Sequence, residues 1–202
     1  MLAGLAPERL VLTEAVHGWR TWGLAGHRDG HDVRLLPTAG TRRPWPARRP
    51  VRAECGRRRN HPVPGPDCTC GIHATRLPDL LRRTREPAVL GRVALWGRVV
   101  EHVHGYRAEY AYPQRAALVC TLCFWQWGER ARPPDLVVRR RGGGLTPLCE
   151  PHLALSRRYG DPARHVLGAA EVERAVLDAY AIDVLPLFGR LSGAMTRRGG
   201  SR

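Results

Sequence analysis

Six cysteines and several nearby histidines are the residues of this chain best equipped for chemistry, and their spacing points to metal. In "CTLCFWQWGERARPPDLVVRRRGGGLTPLCEPH", Cys120 and Cys123 stand two residues apart, and Cys149 and His152 repeat that spacing after a long insert. A C-x2-C turn sets two thiolates on one side of a tight bend, and a second pair carried in by a hairpin completes a tetrahedron. Three thiolates and an imidazole fill every vertex around a zinc ion, so no position is left for water. Closed sites of this kind are structural rather than catalytic. The second pair also stands where a helix should begin, since Pro151 suits a first turn and the helix dipole favours thiolate at that end.

A second cluster lies upstream. "AECGRRRNHPVPGPDCTCGIHA" offers Cys55, His61, Cys68, Cys70 and His73. Three cysteines need one histidine to complete a tetrahedron. His61 can reach back from before Pro62, and His73 competes from close behind Cys70. Gly71 permits the turn by which Cys68 and Cys70 share one ion. The expected cofactor is zinc at two sites, with iron as the competing metal for thiolate-rich sets.

Charge supplies the second line of argument. The chain carries 33 basic residues, all of them arginine, against 18 acids, for a net charge of +15 and an isoelectric point near 11.1. Two filled sites, each with three thiolates and one dication, leave it near +13, still strongly basic. Such a surplus fits a polyanionic partner, because phosphate contacts release condensed counterions. Arg57, Arg58 and Arg59 flank the first cluster, and Arg130, Arg132, Arg139, Arg140 and Arg141 crowd the insert of the second. Guanidinium forks grip phosphate oxygens, and the neighbouring Trp125 and Trp127 offer rings on which unpaired bases stack. These two indoles alternate with Phe124 as in a strand, however, which predicts that at least one face is packed. Gly142, Gly143 and Gly144 either bring backbone amides to an anion or form a plain hairpin tip.

Catalytic signatures are weak. His27, Asp29, His31 and Asp32 fall in one turn, and Glu101, His102, His104 and Glu109 near another, where charged residues are usually solvated. No nucleophile elbow, H-E-x-x-H helix or phosphate-cradling loop occurs. The sequence therefore predicts no catalytic residues.

The elements that must position these groups follow from periodicity. "LVLTEAVHGWRTWGLAGHRDGHDVRLLP" reads as strand, turn, strand, and "AVLGRVALWGRVVEHVHGYRAEYAYP" as a second pair of strands around glycine bends. Between them a long loop rich in Pro, Gly and Arg needs tying down, which the first cluster would do. A short amphipathic helix is expected after Thr75. Two more are expected after Cys149, the last capped by Asp161 with Pro162 in its first turn. The fold class is thus α+β. Residues 1–116 form a small β-rich, barrel-like domain with a zinc-stapled loop. Residues 117–190 form a zinc module with a helical extension, and 191–202 a disordered basic tail.

The C-x2-C…C-x2-H arrangement over residues 117–160 resembles the treble-clef zinc finger: a knuckle, a hairpin and a helix giving the last two ligands. That resemblance implies metal and says little of function, since the family includes nucleic-acid binders, protein-interaction modules and structural inserts. Residues 16–113, with "HPVPGPDCTCGI" and "LWGRVVEHVHGYRAEYAYP", resemble a group of uncharacterised bacterial proteins from high-GC genomes. In that pattern the place of His73 is usually aromatic, which implies His61 as the ligand. The expected function is non-catalytic nucleic-acid binding, DNA or RNA, through the arginine-rich surface, within a larger nucleoprotein complex or alone. The rivals are a protein-interaction module docking on an acidic partner and a nucleic-acid-processing hydrolase. No stretch approaches the ~18 apolar residues of a membrane span, and no signal peptide is evident. The expected compartment is the reducing cytoplasm.

Overall fold

The computed structural model describes residues 9–26, 32–40, 43–57, 61–139, 144–158 and 166–187. Within them strands dominate a mixed fold. The order begins β1 (Arg9–Gly26), β2 (Val33–Pro37), β3 (Val51–Arg52), β4 (Ile72–Thr75), β5 (Val89–His102) and β6 (Gly105–Leu118). It continues with α1 (Thr121–Trp127), β7 (Leu136–Arg139), β8 (Gly144–Leu148), α2 (Glu150–Arg158), β9 (Val166–Gly168), α3 (Ala169–Tyr180) and β10 (Asp183–Val184).

The two strand pairs expected from periodicity are present. β1 and β2 run antiparallel from Trp22↔Pro37 to Gly26↔Val33, and β5 and β6 form a hairpin through Val103 and His104. β5 lies between β1 and β6, and alternation along it puts Val89, Val93, Leu95 and Val99 into the core. Short β4 pairs with four residues of β6 and meets β1 at Trp19↔Thr75, so β1, β5, β6 and β4 make a ring. A ring closed through one residue pair is not in itself a barrel.

Other expectations are corrected. The segment after Thr75 is a single 3-10 turn, Pro78–Leu81, and Leu77 and Leu80 are exposed rather than on a packed face. The last helix starts at Ala169, and Val166 belongs to a strand paired with Val138. Asp161 and Pro162 lie outside the described residues, as do 191–202. Trp125 and Trp127 sit on a helix, not a strand: 3.6-residue periodicity buries Phe124 and leaves the indoles 43% and 55% exposed.

The boundary expected at residue 116 falls inside β6. Two cores stand on either side of the sheet. The first joins Trp22, Leu35, Trp45 and Val93 to Val172, Val176 and Tyr180 of α3, and the second surrounds Cys120, Cys123 and Cys149 with Phe124, Val138, Leu148 and Leu187. The late helix α3 is thus docked on the early strands. Tyr180 fixes it: its hydroxyl accepts from the Leu35 amide at 3.0 Å and donates to the Trp45 carbonyl at 2.7 Å. Hydrogen bonds of β8 to β1 at Leu24↔Leu145 and of β10 to β6 tie the two parts further.

Candidate metal centres

Cys120 ends the run out of β6 and caps α1, whose first turn carries Cys123. The β7–β8 hairpin then returns the chain so that Cys149 precedes α2 and His152 lies in its first turn. Local bonds hold each ligand in place. The amides of His152 and Leu153 donate to the Cys149 carbonyl at 3.0 and 2.9 Å, and Asp135 accepts from the Glu150 amide at 2.8 Å. The buried Thr121 hydroxyl donates to the Pro87 carbonyl at 2.8 Å, anchoring α1.

The geometry suits one tetrahedral ion. Ligand arms of ~2.3 Å for sulfur and ~2.0 Å for nitrogen imply edges of about 3.8 Å between sulfurs and about 3.6 Å from sulfur to nitrogen. Here Cys123 and Cys149 are 3.8 Å apart, and His152 Nδ1 lies 3.3, 3.3 and 3.2 Å from Cys120, Cys123 and Cys149. A disulfide needs ~2.0 Å, so none of these thiols is bridged. Burial, then the neighbouring Cys120, push the Cys123 thiol up to about 12. Burial also raises Cys120, against backbone amides of Cys123 and Cys149 that favour its thiolate. Without a cation this pocket opposes negative charge; a dication is what reverses that preference.

The upstream centre is more open. Cys55 and Cys68 sulfurs lie 3.8 Å apart, and Cys70 is 3.9 Å from His61 Nε2. The His61 Nδ1 faces the Pro62 carbonyl at 2.7 Å, the kind of outer bond that fixes ring tautomer in a ligating histidine. His73 turns its Nε2 to the Thr69 carbonyl at 2.9 Å instead, so His61 completes the set. Gly65 is required for close approach, because a Cβ there would stand 2.7 Å from the His61 ring. Gly71, at φ +120°, makes the turn behind Cys70. In both centres four possible ligand atoms lie within 4.8 Å of one another.

The chain matches no protein-family model, no curated protein and no solved structure. What the centres do must be read from their surroundings.

Sequence reasoning missed the residue that positions the upstream loop. Arg107 of β6 donates to the carbonyls of Cys68, Cys70 and Gly65, so one guanidinium gathers the loop that bears two ligands. Nothing marks it among the chain's other arginines except a place on a strand that turns out to face the loop.

The arginines expected to meet a partner divide. Arg57, Arg130 and Arg132 are exposed. Arg139 is half-buried on β7, with Nη1 shut from solvent and without a protein partner. Arg58, Arg59, Arg140 and Arg141 lie outside the described residues. Of the groups weighed as catalytic, Glu101 pairs with Arg76, Glu109 with Arg52 at 3.3 Å, and Asp32 with Arg34 at 2.7 Å. His102 Nδ1 accepts from the His104 amide at 3.3 Å in the hairpin turn. His27, Asp29 and His31 are outside the described residues. No helix among the described residues is long and apolar enough to cross a membrane.

Proposed function

We propose that this is a non-catalytic, zinc-stabilised nucleic-acid-binding protein whose second centre, a treble-clef-like module, presents the contact face. One observation carries the reading: Trp125 and Trp127 stand exposed on α1 beside exposed Arg82, Arg130 and Arg132. Large exposed indoles on a small domain mark an interaction surface. The surrounding arginines make that surface suited to a polyanion. Arg82 donates to the carbonyls of Trp125 and Gln126 at the end of the short helix, and the Trp125 ring nitrogen donates to the Thr84 carbonyl at 2.9 Å. The Trp125 ring is thus pinned at one edge with the rest exposed, and Trp127 is more exposed still, which suits stacking by bases that are unpaired. The net charge of +15 supplies the sequence-independent part of the affinity. Closed coordination assigns the ions to scaffolding rather than reaction.

The test is fluorescence titration of the zinc-loaded chain with random single-stranded DNA and RNA and with duplex, across salt concentrations. Single strands should quench tryptophan emission, with affinity falling steeply as salt rises. Trp127→Ala should weaken binding by about 1–3 kcal/mol without changing the salt slope. Absence of binding to any nucleic acid at low salt would refute the reading and favour an acidic protein as partner.

A further inference from the structure

A cavity of about 700 Å³ opens between the upstream metal centre, β1, the segment Thr38–Gly40 and the segment Leu81–Arg85. It borders the indole face at Thr84, whose carbonyl accepts from the Trp125 ring nitrogen, and its arginines are not those of that face. Its wall brings together Arg20, Arg57 and Arg85 with a single carboxylate, Glu54. No carboxylate among the described residues pairs with Arg20. Its guanidinium donates to the His73 carbonyl and lies 5.3 Å from the Trp45 ring centroid, while its Nε is buried with no partner. Burial without a counter-ion lowers its affinity for the proton to about 10. Next along the strand, Thr21 is 1% exposed, and its hydroxyl too is buried without a partner.

Strand alternation turns Thr21 to the face opposite Arg20, so of these two it is the Arg20 guanidinium that is offered to the cavity. Leaving buried polar groups unpaired is costly, and a guanidinium desolvated without an anion is costlier still. That cost falls when an anion approaches the Arg20 guanidinium together with Arg57 and Arg85. A phosphate group does this: it carries charge for the arginines and accepts from guanidinium forks on several sides. A filled metal centre adds about one negative charge nearby, and the three arginines still outweigh it together with Glu54. The volume exceeds the needs of a bare ion and suits a molecule of small-ligand size.

We propose that this cavity is a phosphate-binding site, in which Arg20, Arg57 and Arg85 hold the phosphate of a small molecule or of a nucleic-acid end. The proposal does not depend on the indole face. It is tested by calorimetric titration of the full, zinc-loaded chain with inorganic phosphate, using chloride at matched ionic strength as control. Phosphate should bind saturably, and both Arg57→Ala and Arg85→Ala, each at an exposed side chain, should weaken it about tenfold or more. Arg20→Gln supplies the sharper readout. Because its guanidinium pairs with no carboxylate among the described residues, the substitution should cost the phosphate-free protein little stability while weakening phosphate binding.

Trp127→Ala should leave phosphate affinity unchanged, which separates this site from the nucleic-acid face. Tighter binding of a nucleoside 5′-monophosphate than of inorganic phosphate would support the site and identify a small carrier. Preference for a 5′-phosphorylated oligonucleotide over its unphosphorylated form would support it and identify a strand end. Phosphate heats no larger than those of chloride, or three variants that bind as the parent does, would overturn it.

Discussion

His73 stands three residues behind the Cys68–Cys70 pair and His61 seven before it, yet side-chain direction decides for the more distant one. The His61 Nε2 points to the thiol of Cys70, whereas His73 is engaged by the Thr69 carbonyl. Elemental analysis should therefore find two zinc ions per chain in the parent and in His73→Ala, and one in His61→Ala. Loss of an ion from His73→Ala would reverse the assignment. Much of this was legible beforehand, because thiolate spacing is a local property and a tetrahedron admits few sets of four. The Arg107 clamp was not. An arginine on a strand reads like a solvated one until the strand is known to run beneath the metal loop. Thr21 was equally silent, since a threonine in a strand gives no sign that its hydroxyl lacks a partner.

Elements were legible where alternation and glycine marked them. The β1–β2 and β5–β6 pairs follow from apolar residues two apart and from turns between them, and α2 from Pro151 in its first turn. Helix α1 was not. "FWQW" alternates large and polar groups as a strand does, but Cys120 caps a helix there, and the Phe124 amide returns to its carbonyl at 2.9 Å. The same error hid the exposure of the indoles, because a strand would have packed one face. The docking of α3 on the first core depends on contacts across more than a hundred residues, which no local pattern carries. Tyr180→Phe tests that docking. It leaves the Leu35 amide and the Trp45 carbonyl without their partner, both in the buried core, and should cost about 2 kcal/mol in urea unfolding of the zinc-loaded chain. A change below about 0.5 kcal/mol would mean that water replaces the hydroxyl.

Over the whole molecule, metal and core are one system around the second centre. Cys120, Cys123 and Cys149 are buried among Leu90, Val119, Phe124 and Leu148, so an ion bound there would form its site together with the apolar cluster. The sign of the pH dependence follows from the thiols. Burial holds Cys120 and Cys123 above their ordinary range, the latter at about 12, so the ion-free protein carries both protons at pH 7. Zinc uptake expels them. Its affinity should accordingly fall by about a hundredfold or more for each pH unit of acidification, and calorimetry in buffers of different ionisation enthalpy should count at least two protons released. Release of no protons would show that the thiols are already ionised without metal. The broad class of the molecule, strands with a few helices around two Cys/His clusters, followed from residue types and spacing. The way its two cores interlock did not.

That interlocking bears on how the chain comes off the ribosome. Tyr180 closes the core built from Trp22, Leu35 and Trp45, and Leu185 and Leu187 seal the other. Nascent strands β1 to β6 therefore wait, with an uncovered oily side, until α3 has been synthesised. Over that interval they are most in need of a chaperone, and a ribosome stalled short of Tyr180 would hold a sheet that cannot finish folding.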